Sequence, residues 1–148
     1  MYLDASAIVA ILAEEEDAGY YIAKLEDSKR QIFCSPLTVY EAVISLARNE
    51  ATKTVGAQSP IPQQCIDDAQ VDVASLLETL NVKEMSMNAS IHVKSIAAAR
   101  EYGKVVASPA RLNMGDCFVY AVAKEYRLPL LFKGDDFTKP ILSGHKAR

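Results

Sequence analysis

The 148-residue chain is half hydrophobic, enough for one domain with a sizeable core, and this excludes a disordered chain. Its formal charge of −3 is wrong for a uniformly basic nucleic-acid binder, and its longest apolar run, Ala7–Ala13, is far short of the roughly 18–20 residues of a membrane span. No basic n-region or signal-peptide pattern stands at the start, so the chain is expected to be soluble and cytoplasmic.

In chain order, Met1–Asp4 reads as a short buried strand. A helix over Ser6–Leu12 comes next, extended by the acidic run Glu14–Asp17. Gly19–Leu25, with Tyr20, Tyr21, Ile22 and Leu25, suits a second helix. Gln31–Cys34 is a second strand. Ser35-Pro36 is an N-cap and first-turn pair that opens a helix through Leu37, Tyr40, Val43, Ile44 and Ala47. Residues 51–64, rich in Thr, Gly, Ser and Pro, read as a loop. Asp67–Leu80 resumes a helical stripe, and Val82–Met87 is a third strand. Ile91–Tyr102 is a helix closed by Gly103. Val105–Met114 is irregular, Asp116–Tyr126 is helical, Leu128–Phe132 is the last strand, and the tail from Thr138 is loop. Strands alternating with helices predict a single α/β domain with a mainly parallel sheet. Cys34, Cys65 and Cys117 form no CxxC pair or zinc pattern, so three reduced, mostly buried thiols are expected.

Charge is unevenly spread. Residues 1–92 carry 6 Lys+Arg against 14 Asp+Glu (−8), and residues 93–148 carry 10 against 5 (+5). A basic C-terminal third hints at a polyanionic partner; the bland alternative is an uneven solvated surface.

Two acids stand where apolar runs end. Met1-Tyr2-Leu3 delivers Asp4, and Leu128–Lys133 leads into Gly134-Asp135-Asp136-Phe137. In an open parallel sheet, ligands bind at the carboxyl ends of the strands, so both ends share one edge. Glu41 and Asp116 are the other candidates. Each acid alone has a plain reading: Asp116 as a helix cap, Glu41 as a half-exposed helical residue, Asp135 or Asp136 as a turn residue. Asp4 sits among Leu3, Ile8 and Val9, and a buried carboxylate needs a partner or a cation. Carboxylates brought together repel unless a positive charge lies between them, and Mg²⁺ or Mn²⁺ would supply it. The chemistry such an ion supports is phosphodiester hydrolysis. His92 and His145 sit in no nucleophile-elbow or zinc motif, and no P-loop or GxGxxG is present.

Four segments, in order, resemble the PIN-domain ribonucleases, most closely the VapC toxins of bacterial toxin–antitoxin modules: Met1–Ala7, Thr38–Ala42, Leu112–Phe118 and Leu131–Phe137. The resemblance implies a three-layer α/β/α domain over residues 1–148. It implies a Mg²⁺- or Mn²⁺-dependent endoribonuclease acting on structured RNA, a homodimer, and a cognate VapB-type antitoxin. Carried over residue by residue, it implies a site of Asp4, Glu41, Asp116 and Asp136, with Asp4 and Asp116 on the metal and Asp135 as the neighbouring alternative. Ser6 matches the hydroxyl residue beside the first acid. The segment near 51–64 departs from the family pattern in its length. On this reading Arg111, Lys133 and the tail contact phosphate. The rival readings are a PIN-like module that binds RNA without cutting it, and a phosphatase-like hydrolase. The second lacks the Asp-x-Asp expected after the first strand, since Ala5 and Ser6 come after Asp4.

Overall fold

A computed structural model describes residues 1–134 and Phe137. Four short parallel strands form the sheet: β1 (Tyr2–Leu3), β2 (Phe33–Cys34), β3 (Lys83–Glu84) and β4 (Leu130–Leu131), in the order β3-β2-β1-β4. The register pairs Tyr2 with Phe33 on one side, and Tyr2 with Leu130 and Leu3 with Leu131 on the other. The first and last strands of the chain are therefore parallel neighbours, and their carboxyl ends, at Asp4 and Phe132, emerge at the same sheet edge.

Alternation along the strands sorts the core into two layers. Leu3 and Leu131 face one side, where they meet α1 (Ala5–Leu12), α2 (Ala18–Glu26), α3 (Pro36–Thr54) and α4 (Gln63–Thr79) through Ile8, Leu25, Ala47 and Val73. Tyr2 and Leu130 face the other, against α5 (Ile91–Tyr102) and α6 (Met114–Glu125) through Ile91, Ala98, Val119 and Val122. This is the expected three-layer α/β/α arrangement. Cys34 and Cys117 are buried, Cys65 is half-buried, and all three are free thiols. No helix among the described residues is long and apolar enough to cross a membrane.

Several boundaries differ from the sequence reading, and α4, expected from Asp67, already starts at Gln63. α1 stops at Leu12 instead of running into the acids: Ala13 caps it and Glu14 takes a left-handed φ of 51°. α3 continues to Thr54, and the Thr52 and Thr54 hydroxyls donate to the Arg48 and Glu50 carbonyls, at 2.8 and 2.9 Å, inside the helix. The connection that remains is short, and the Arg48 guanidinium donates to the Ser59 carbonyl at 2.7 Å across it. The irregular stretch after Gly103 contains one 3-10 turn, Lys104–Val106.

Candidate active site

Asp4 is the residue immediately after β1. Its N–H donates to the Leu131 carbonyl at 3.0 Å, so the ladder with β4 fixes its backbone. Its side chain caps α1: Oδ2 accepts from the Ser6 N–H at 3.0 Å and from Ser6 Oγ at 2.5 Å. The residue is only 7% exposed, and these donors stabilise a charge there. Ser6 Oγ also accepts from the Lys133 N–H at 2.9 Å. One hydroxyl thus joins the ends of two neighbouring strands and holds the carboxylate between them.

Glu41 rides on α3. Ser35 caps that helix, and its Oγ accepts from the fully buried Tyr2 hydroxyl at 2.7 Å, while Thr38 Oγ1 lies 2.8 Å from the same phenol. Buried Ala42 and Val43 anchor the inner face and leave Glu41 half-buried at the sheet edge. Asp116 lies in the first turn of α6. Asn113, not Asp116, is the N-cap: Asn113 Oδ1 accepts from the Asp116 N–H at 2.9 Å, and Asp116 Oδ2 accepts from the Asn113 N–H at 2.8 Å. The reciprocal pair is a capping box, and it fixes the Asp116 side chain.

These elements converge. Asp4, Glu41 and Asp116 line one cavity of about 510 Å³ with Ser6, Glu15, Tyr40, Asn49, Asn113 and Lys133. Burial, and then the charges of Asp4 and Asp116, push the Glu41 carboxyl up to about 7. Gly115 makes room for it: a Cβ there would fall 2.7 Å from Glu41 Cδ and closer still to Oε1.

Two expectations about phosphate contacts change. The Lys133 ammonium is held by Glu15 and by Asp17 Oδ1 at 2.9 Å, and these hydrogen bonds raise its pKa. It enters the cavity wall already neutralised. Arg111 is exposed but does not line the cavity. His92 is an exposed helical residue with Nδ1 at the Ala89 carbonyl, and it is not among the residues lining this cavity. Asp135 and Asp136 lie outside the described residues; Phe137 beyond them is buried edge-on against Phe132, ring centroids 5.0 Å apart. The sequence reading missed Gly115 and Tyr40 as cavity features. It also missed Asn113, although Asn-x-x-Asp is itself a capping signature.

Among the described residues, no group of three or more histidine, cysteine or carboxylate side chains is arranged to hold a metal ion as it stands. The donor chemistry fits a hard cation all the same. Among the described residues, the lining offers carboxylate, hydroxyl and amide oxygens and no histidine or cysteine. One carboxyl is already driven toward protonation, by burial first and then by its neighbours' charge, and a cation would relieve the second.

An α/β/α sandwich with acids gathered where β1 and β4 end defines a class, and the comparisons name it. The PIN domain family model matches residues 1–140. A VapC ribonuclease of Rhizobium meliloti is 38% identical over 138 residues, covering 93% of this chain and 96% of that one. Ribonuclease VapC42 of Mycobacterium tuberculosis is 33% identical over 138 residues, covering 93% of each. The crystal structure of Mycobacterium tuberculosis VapC20, described as a Sarcin-Ricin loop cleaving toxin, superposes with a TM-score of 0.65 at 13% identity, over 99% of this chain and 97% of that one. The chain belongs to the PIN-domain family, alongside its VapC ribonucleases.

Proposed function

We propose that this chain is a Mg²⁺- or Mn²⁺-dependent endoribonuclease and the toxin of a type II toxin–antitoxin pair. The observation that carries the reading is the cavity at the ends of β1 and β4, where Asp4, Glu41 and Asp116 meet and one of them resists ionisation. Ribonuclease activity is supported by the names of the relatives.

Asp4 and Asp116 would hold the ion, because each carboxylate is oriented by its own helix start. The ion, when bound, supplies charge to the phosphate and acidifies an attacking water. Glu41, whose negative charge the ion would stabilise, completes the site or orients water beside it. Asp136 is proposed as the fourth acid, with Asp135 as its alternative. Ser6 keeps Asp4 and the end of β4 in register. The test is cleavage of total RNA by wild type against Asp4→Ala and Asp116→Ala. Loss of more than about 100-fold in each variant is expected, since even supporting partners of metal ligands are worth 10–100-fold. Equal cleavage by all three would sink the reading, and binding without cleavage by wild type would favour the non-catalytic RNA-binding module.

The reading includes a VapB-type antitoxin, a homodimer and a cytoplasmic location. The VapC naming of the relatives supports the antitoxin. A protein partner is also supported by exposed Ile96, Val105 and Met114 around an apolar groove of about 740 Å³, which adjoins the acid cavity at Asn113.

A further inference from the structure

The cavity wall poses an electrostatic problem. Among the described residues, Asp4, Glu15, Glu41 and Asp116 line it against one cation, Lys133, which already serves Glu15 and Asp17. A metal ion at the acids would anchor one phosphate, but the rest of an RNA strand meets a wall with little positive charge to hold it. Within the described lining, uncharged side chains are the further groups that can hold it.

α3 offers one. Tyr40 immediately precedes Glu41 and lines the same cavity, where it is the one aromatic residue among the described lining. It is 64% exposed, more than any other described aromatic. Tyr20, by comparison, is covered edge-on by Tyr21 and lies under Lys24. An exposed ring beside an anionic cleft has no packing reason to be there. The helix under it is rigidly seated through Ser35, Thr38 and the buried Tyr2 phenol. An open aromatic face on a seated helix suits an unpaired base, because every base has a π-face and stacking needs no charge. Farther along the same helix, Ser45 and Asn49 line the cavity with uncharged hydrogen-bonding groups.

From this we infer that Tyr40 is the stacking platform for an unpaired RNA base adjoining the scissile phosphate. The inference rests on the nuclease reading above and adds a substrate-binding residue to it.

The test uses the full chain in a Glu41→Gln background with Mg²⁺, which keeps the RNA whole. The probes are short single-stranded RNAs carrying 2-aminopurine at successive positions. Binding is expected to quench the fluorophore at one position. Tyr40→Phe keeps that quench and the affinity; Tyr40→Leu loses the quench and weakens binding about 5- to 150-fold. Tyr126→Leu, at an exposed tyrosine away from the cavity, changes neither. Unchanged quench and affinity in Tyr40→Leu, loss of both in Tyr40→Phe, or equal loss in Tyr126→Leu overturns the platform. Wild-type cleavage of the same RNAs, measured separately, keeps the two readings apart: cleavage with an unaffected Tyr40→Leu refutes the platform alone, and no cleavage by wild type refutes the nuclease reading.

Discussion

The carboxylate of Glu41 occupies the space in which Gly115 would carry a side chain. The two residues belong to different helices, α3 and α6, and Gly115 directly precedes Asp116. The glycine is not needed for a left-handed backbone, since Gly56 and Gly134 are the described glycines with positive φ. It is needed for close approach. Gly115→Ala should leave the fold intact, because alanine favours the helix and the clash falls on the movable end of a side chain. It should displace Glu41 and lower RNA cleavage by about 10- to 100-fold, the range seen when a supporting group of a metal site is disturbed. Circular dichroism and cleavage rates on one preparation check both halves.

Glu41 also predicts a pH effect in the metal-free chain. Its carboxyl rises from 4.5 to about 7 in the fold. Below 4.5 it is protonated both folded and unfolded. Between 4.5 and about 7 the folded chain keeps a proton that the unfolded chain has released. This contribution to stability is therefore present at low pH and is lost as pH rises through that window. Glu41→Gln removes the dependence, so the variant should be the more stable of the two in EDTA at pH 8, and the gap should close toward pH 4. Urea melts of both proteins across the range measure it.

Tyr2→Phe tests the seat of α3. The phenol is fully buried, burial pushes its pKa up to about 12, and its hydroxyl serves Ser35 and Thr38. Removing it leaves buried hydroxyls short of a partner, at a cost of about 1–3 kcal/mol. Thermal denaturation should show the loss. An unchanged Tm would mean that this network does not hold the helix.

Ser6→Ala tests the link between the strand ends. It removes the hydroxyl donor to Asp4 and the acceptor of the Lys133 N–H. Cleavage should fall about 10- to 100-fold, and Ser6→Thr should recover part of it.

Much of this was legible in the sequence. Apolar runs ending in Asp4 and before Gly134, together with Ser35-Pro36, placed the strands, the capped helix and the shared edge, because those signals are local. The end of α1 was not, because Glu14–Asp17 reads as a continuing helix until one sees that Glu15 and Asp17 serve Lys133, a partner 118 and 116 residues away. The same separation hid the neutralisation of Lys133. Asn113-Met114-Gly115-Asp116 did contain the capping box; reading Asp116 as the cap missed it by three residues. That Glu41 fits over Gly115 is tertiary and has no local trace.

The central claim is that a cation between these acids enables the chain to cut RNA. The direct measurement is RNA cleavage by protein stripped with EDTA and then given Mg²⁺ or Mn²⁺, with Asp4→Asn and Asp116→Asn alongside. The expected result is no cleavage in EDTA, recovery on adding either ion, and no recovery in either variant. Undiminished cleavage in EDTA, or full recovery in the variants, would contradict it.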